Sequence, residues 1–399
     1  MINIGWIIDN KYRELNRLYA FKKKLKKKNI KLVLLNKNNF QLGIKSYLFS
    51  TIIIPNAWSF GLKIIDIAKK LQVPNICIYH TESFEISNTY LESKYPLNEL
   101  HNVDFIFSHN KKECDYLEQN HYSKFKFIGH YKYFNKNFTN YKKKTIYNNQ
   151  KIIGITSTNK YLANPHSSSL LYIINRRSND DFVKDYLKYE IDYFFFLTRF
   201  SKFCKKNNYK IIFRPHPLEE KDKFIFLQND HFEVDHSLCI SKFFEKIDVL
   251  LNHISSSSYD AVMNNIPVIN IGNFFENLKN FKELYAFPPA TIGKKVETIG
   301  EIKSILDNEN NLLKLQEDNS KIRDEIYKEN FKDFTDPLDL LEQFLLRQSV
   351  SRKKNINTIL FRVVFFIRQI LTNFKKNKHG VYNLFNFSDN KLLKKMSNE

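Results

Sequence analysis

Short apolar runs alternate with longer amphipathic or charged stretches along this chain, and that alternation restricts it to βαβ units built on parallel sheets. In the first half the runs are Ile2–Ile8, Lys31–Leu35, Thr51–Ile54, Asn75–Tyr79, Phe105–Ser108 and Phe125–Ile128, with a helix over Tyr12–Lys28 after the first. A polar, Lys- and Asn-rich break follows at Asn135–Gln150. A second series then runs through Ile152–Thr156, a long helical segment from about Asp181 to Asn207, and strands at Lys210–Phe213, Val249–Leu251 and Pro267–Ile271. The expectation is an α/β chain with two parallel-sheet domains of the same type, residues 1–140 and 150–335. Ile302–Tyr327 reads as helical, and Pro337–Leu346, within a boundary segment 336–346, gives a helix expected to pack back on the first domain.

At 399 residues the chain is long enough for two separate cores, and 43% hydrophobic with 15% aromatic content excludes a mostly disordered polypeptide. The 63 Lys and Arg against 42 Asp and Glu give a net charge of +21, which favours anionic partners such as nucleic acid, an acidic membrane surface, or nucleotide and acidic sugar substrates. Codon drift in an AT-rich genome explains much of the same Lys excess. Cys77, Cys114, Cys204 and Cys239 lie far apart without metal-ligand or paired spacing, so neither a zinc site nor a disulfide scaffold is indicated. A reducing cytoplasm fits that cysteine usage. Met1–Asp9 reads as a first buried strand rather than a signal peptide, and no run reaches the ~18–20 apolar residues of a membrane-spanning helix.

Residues 347–399 differ from the rest: Arg352, Lys353, Lys354, Lys375, Lys376 and Lys378 bracket Ile356–Phe374. Ile356, Ile359, Leu360, Val363, Ile367, Ile370, Leu371 and Phe374 share one helical face, with Arg362, Gln369 and Asn373 opposite and Phe361 and Phe365 on the polar side. The pattern points to an interfacial helix on an anionic membrane, or else to a helix that packs between domains.

Two turns carry the chemistry. Arg214-Pro215-His216-Pro217 follows the strand at Ile211–Phe213, and Ser255-Ser256-Ser257-Ser258 follows Val249–Leu251 about forty residues later. In an open α/β sheet, ligands settle outside the carboxyl ends of strands, where loops converge and helix N-termini offer N–H groups to anions. The serines precede Tyr259–Met263 and supply such a terminus, while two prolines fix the backbone around His216. A phosphorylated leaving group suits this pair of turns. Thr156 and Ser157 repeat the strand-then-hydroxyl pattern at the entrance to the second domain. In the first domain, Asn75–Tyr79 runs into His80-Thr81-Glu82-Ser83-Phe84-Glu85, where Glu82 is the first choice of general base and His80 and Glu85 are weaker ones. His130, after Gly129, is a further candidate facing the acceptor side.

On His216-Pro217, Ser255–Ser258 and Glu82 the chain resembles GT-B glycosyltransferases of bacterial surface-polysaccharide synthesis, in the sialyltransferase, Kdo-transferase and polyol-phosphate-transferase group. The resemblance implies two Rossmann-like domains with a cleft between them: an N-terminal acceptor domain and a C-terminal domain that binds the CMP or CDP part of the donor. It implies inverting, metal-independent transfer without a cofactor, in which a sialic acid- or Kdo-like sugar passes to a surface glycan or lipid-linked glycan acceptor. Glu82 would deprotonate the acceptor, and His216 and the serine-loop amides would stabilise the departing phosphate. Arg214 would pair with phosphate or a donor carboxylate, or hold the turn through backbone carbonyls. In these families the base lies in a D/E-D/E-G motif. Here that stretch reads Thr81-Glu82-Ser83, so only the glutamate carries over.

The expected location is cytoplasmic, at the inner face of the membrane. Within the same fold, a CDP-polyol phosphotransferase is the alternative, and His80 favours it. A nucleic-acid-binding protein is a third reading, opposed by the scattered basic residues and by the absence of a zinc-finger, helix-turn-helix or aromatic-Gly RNA motif. A binding-only relic of the fold is the fourth.

Overall fold

Every apolar run marked above becomes a strand of one of two parallel six-stranded sheets. The computed structural model describes residues 2–9, 11–36, 40–81, 91–92, 94–134, 150–157, 180–216, 219, 221–235, 237, 240–276, 291–331, 335–348, 361, 363–365 and 367. They divide into two compact units. One holds the described residues up to Phe134 and from Ile326 onward, and the other those between Asn135 and Glu325. Glu82, Glu85, Pro217, Cys239, residues 135–149 and most of 347–399 lie outside the described residues.

In the first unit the chain runs β1 (Ile2–Ile8), α1 (Lys11–Lys26), β2 (Ile30–Asn36), α2 (Phe40–Tyr47), β3 (Thr51–Ile54), α3 (Ser59–Lys70), β4 (Asn75–Tyr79), β5 (Phe105–Ser108), α4 (Lys111–Gln119) and β6 (Phe125–Phe127). The strand order is β2-β1-β3-β4-β5-β6. Six of the seven residues of β1 are buried, because helices cover both faces of a parallel sheet and leave no polar side to the strand. Trp6 on β1 anchors one face, with ring centroids 6.5 Å from Phe21 of α1, 5.9 Å from Tyr79 and 5.6 Å from Tyr131. Such aromatic pairs add ~0.5–1.5 kcal/mol each beyond the area they bury. At the end of β6, Gly129 takes φ +86°, and a Cβ there would stand 2.6 Å from the carbonyl of Asn330. Only glycine fits that turn.

The second unit comprises β7 (Ile152–Thr156), α5 (Asp180–Lys206), β8 (Lys210–Arg214), β9 (Phe232–Val234), α6 (Ile240–Phe244), β10 (Val249–Asn252), α7 (Ser257–Met263), β11 (Val268–Asn270), β12 (Lys294–Lys295), α8 (Ile299–Leu306) and α9 (Glu309–Asn330), whose last turn belongs to the first unit. The order β12-β11-β10-β7-β8-β9 makes β7 the strand from which the chain winds outward on both sides. Its core is rich in aromatics: Tyr189, Tyr193, Phe196 and Phe200 of α5 pack with Phe213, Phe224 and Phe275. Gly154 lets β7 lie close under its neighbours, since a Cβ would come 2.3 Å from Ile247 Cδ1.

The single helix expected over Ile302–Tyr327 is two, α8 and α9, broken at Asp307-Asn308. Asp307 ends α8 and its carboxylate takes hydrogen bonds from Tyr209 and Lys303, while Asn308 Oδ1 accepts from the N–H of Asn310 at 2.9 Å. These side-chain partners replace helical continuity. A last described helix, α10 (Pro337–Gln348), packs Leu338, Leu341, Phe344 and Leu345 into the first unit's core, with Phe344 4.7 Å from Phe105 and 5.0 Å from Phe107. Arg17 pairs with Asp336 at 3.1 Å, Lys24 with Asp339 at 2.8 Å and Lys28 with Glu342 at 2.5 Å, which fixes α10 along α1. Beyond it, Phe365 inserts into the first unit's core 5.7 Å from Tyr47, and Lys45 lies over the Phe361 ring. The two phenylalanines read as blurring the polar side are therefore packing groups, while Val363 and Ile367 are exposed.

Candidate functional site

In the second unit the carboxyl ends of three adjacent strands are knit into one polar cluster. β7 pairs with both β8 and β10, so the turns after these strands are neighbours at the topological switch point of the sheet. Thr156, the last residue of β7, donates from Oγ1 to Asn252 Oδ1 at 3.3 Å and accepts from Ser257 Oγ at 2.8 Å. Ser257 Oγ also lies 2.8 Å from Ser255 Oγ. Across the strand, Ser157 Oγ donates to Glu219 Oε1 at 2.7 Å, and Glu219 Oε2 accepts the backbone N–H of His216 at 2.9 Å. The Glu219 N–H donates back to the His216 carbonyl at 2.8 Å and closes the turn. Glu219 is buried, His216 half-buried, and Ser255 and Ser256 partly exposed. His216, Ser255 and Ser256 are thus partly exposed beside the buried Thr156, Ser157, Ser257 and Glu219. That arrangement can donate hydrogen bonds to phosphoryl oxygens.

The structure brings Thr156, Ser157, His216, Ser255, Ser256 and Ser257 together, and it separates two other candidates from that role. Arg214 turns to its own sheet: its Nη1 pairs with the buried Asp235 and donates to the Ser237 carbonyl at 3.1 Å and hydroxyl at 2.9 Å. Burial opposes ionisation of Asp235, but the hydrogen bonds from Ser237 and the Arg214 charge outweigh it and hold the carboxyl below its usual range. Ser258 is buried, its hydroxyl returned to the Ser255 carbonyl at 3.1 Å. Ser256 precedes α7 with helical φ/ψ and makes no capping bond, so the serine run acts through its hydroxyl network rather than as a side-chain cap. Glu219 was not read from the sequence, although an acid three residues after His216 is placed to close such a turn.

His253, one residue beyond β10, is packed between Tyr193 at 4.9 Å, Tyr189 at 5.7 Å and Phe275 at 5.8 Å, and burial pushes its pKa down to about 3. Unfolding lets this ring take up a proton near pH 6.5, so the unfolded state binds more protons and stability falls as pH drops from there toward 3. The expected loss from His253 alone is about 2 kcal/mol between about pH 7.5 and pH 5. His80 and His109 of the first unit, both lowered by burial and by the Lys94 charge, push in the same direction. Urea denaturation at the two pH values measures it, and equal stabilities would contradict neutral burial.

In the first unit three histidines stand just past successive strands: His80 after β4, His109 after β5 and His130 beyond β6. All are buried, with the His109 and His130 rings 4.2 Å apart. His130 Nδ1 accepts the Lys132 N–H at 3.2 Å, and its ring stacks near Tyr131 and Tyr133, so it serves the fold of its turn rather than an open acceptor face. Neither ring nitrogen of His80 has a hydrogen-bond partner among the described residues, while His109 Nδ1 lies 3.6 Å from Glu113 Oε1. The His80 ring is held edge-on to Trp58 at 5.2 Å and Tyr95 at 5.9 Å. Burial, reinforced by the Lys94 charge, holds the His80 ring in its neutral form and penalises the protonated one.

Beneath them lies a fully buried ion pair that sequence reasoning missed. Lys94 Nζ donates to Glu113 Oε1 at 2.5 Å, and Glu113 Oε2 accepts from the His109 N–H at 2.7 Å and Tyr95 Oη at 3.1 Å. Asn110 caps α4 by accepting the Glu113 N–H at 2.9 Å. The signal for it was the pattern Asn110-x-x-Glu113 directly after an apolar run, a capping-box variant in which the glutamate reaches one residue further back.

No family model matches this chain. It is similar to the "Minor teichoic acid biosynthesis protein GgaB" of Bacillus subtilis, 28% identical over 146 residues, which is 35% of this chain and 15% of GgaB. Among solved structures it is similar to a UDP co-structure of S. aureus MnaA, with TM-score 0.53 and 11% identity over 89% of this chain and 99% of that one. The wall teichoic acid polymerase TagF with CDPG gives TM-score 0.51 and 12% identity over 87% of this chain and 88% of that one. At these identities the likeness establishes the fold. The chain has the GT-B fold of two Rossmann-like domains.

Proposed function

We propose that this chain is a GT-B transferase of cell-surface polymer synthesis that binds a nucleotide-activated donor through its second unit and favours a CDP-polyol. The observation that carries the reading is the set of polar groups at three adjoining strand ends, where Glu219 ties Ser157 to the His216 turn and Ser257 ties Thr156 to Ser255. Relatives named for teichoic acid synthesis, one of them with CDPG bound, support a polyol phosphate as the transferred group. This choice departs from the CMP-linked sialic acid- or Kdo-like donor expected from the sequence.

An acceptor hydroxyl attacks the polyol-bearing phosphorus, the bridging P–O bond breaks, CMP leaves, and His80 takes the hydroxyl proton. His216 and the hydroxyls stabilise charge growing on the leaving phosphate. Glu219 is a positioning residue: it orients the His216 turn and the Ser157 hydroxyl without touching substrate.

A thermal-shift screen against CDP, CMP, UDP, GDP and ADP tests the reading. At a CDP concentration of about 100 times Kd, binding contributes about 2.7 kcal/mol and raises the melting temperature by several degrees. His216→Ala abolishes the shift, and Glu219→Gln reduces it. A shift with UDP alone would move the donor class, and no shift with any nucleotide would refute the proposal.

A further inference from the structure

The longest helix of the second unit carries a surface that neither donor binding nor the core explains. Along α5 the exposed residues Lys184, Lys188, Ile191, Phe195, Arg199, Lys202 and Lys206 recur at steps of three and four, so they share one helical face. Ile191 and Phe195 at its centre are 45% and 57% exposed. The 3₁₀ turn Lys221–Leu227 lies alongside, fixed by Phe194 stacked on Phe224 at 5.7 Å, and adds Ile225 and Phe226, 55% and 70% exposed. Four large apolar side chains therefore stand in water where the buried stripe of the same helix already satisfies the core. Exposed apolar clusters of this kind mark interaction surfaces.

Charge selects the partner. Two cations precede the apolar centre and three follow it, and Lys188, Arg199, Lys202 and Lys206 make no ion pair with a described residue. Asp185 and Asp192 flank the face, half-buried and each with a partner of its own, as has Lys184. A second copy would bring the same cations, on a chain of net charge +21, against themselves. An anionic bilayer satisfies both features: headgroups meet the Lys and Arg ends while Phe195 and Phe226 enter the acyl boundary. Among the described residues no helix is long and apolar enough to cross a membrane, so attachment here is lateral. We propose that the α5 face, with Ile225 and Phe226, is a docking surface for an anionic lipid bilayer.

Flotation of the full chain with vesicles tests it, using pure phosphatidylcholine and phosphatidylcholine mixed with phosphatidylglycerol. The chain is expected to float with the mixed vesicles alone and to be released as salt shortens the Debye length from about 8 Å to about 3 Å. The double variant Phe195→Gln and Phe226→Gln should bind at least about tenfold more weakly, and Lys188→Gln with Lys202→Gln should lose the phosphatidylglycerol dependence. Because these side chains are exposed, both variants keep the wild-type melting temperature and CDP-induced shift, which separates failure here from failure of the donor assignment. Wild-type flotation of the variants would place attachment elsewhere and overturn the proposal. So would no flotation of the wild type, or a dimer that the Phe variant dissociates.

Discussion

His80→Ala is expected to lower turnover, measured as CMP released from CDP-glycerol in the presence of a polyol-phosphate primer, by about 10²- to 10⁴-fold. CDP affinity should stay within about twofold, because His80 belongs to the first unit and the nucleotide contacts assigned above come from the second. His80 stands at the carboxyl end of β4, where an α/β sheet places reactive groups, and burial, reinforced by the Lys94 charge, holds its imidazole in the neutral form from which a base acts. Glu82→Gln is the control that separates the two candidate bases. If it abolishes turnover and His80→Ala does not, the carboxylate is the base and sugar transfer regains the field. A fall in CDP affinity matching the loss of turnover would instead make His80 structural.

Lys94→Met should destabilise the first unit by about 3–5 kcal/mol, visible as a lower urea midpoint. Lys94 and Glu113 are both wholly buried, and removing one leaves the other as an uncompensated charge. Glu113 is also the common acceptor for the His109 N–H and Tyr95, so the turn after β5 and the segment bearing Tyr95 loosen together. The double variant Lys94→Met with Glu113→Gln restores much of the stability, because no charge is stranded and the glutamine carbonyl still accepts from His109. A single-variant loss under about 1 kcal/mol would show the pair to be solvated.

The strands were legible because a buried parallel strand leaves a nearly unbroken apolar run: β1, β3, β4, β5 and β7 have the limits read from the sequence. The helices α2, α3 and α4 were not drawn, since each is short and its apolar stripe is visible only once the sheet it covers is known. The turns after β7, β8 and β10 could be marked as polar strand ends. What linked them was not legible, because Glu219 reaches Ser157 across 62 positions and Ser257 reaches Thr156 across 101. The side-chain partner of Arg214 was hidden for the same reason. Asp235 stands one residue past a three-residue strand whose neighbour in the sheet, β8, is set by topology alone. Lys94 and Glu113, 19 positions apart and each within a charged stretch, gave no sign of burial.

The central claim is that three strand ends of the second unit form one phosphate-binding cluster, and calorimetric titration of CDP into the wild type and a Thr156→Val, Ser257→Ala double variant tests it most directly. A single site is expected in the wild type, with affinity about 10- to 100-fold weaker in the double variant, since two hydroxyls that order these strand ends are removed. Equal affinity in the two proteins, or no heat in the wild type, would contradict it.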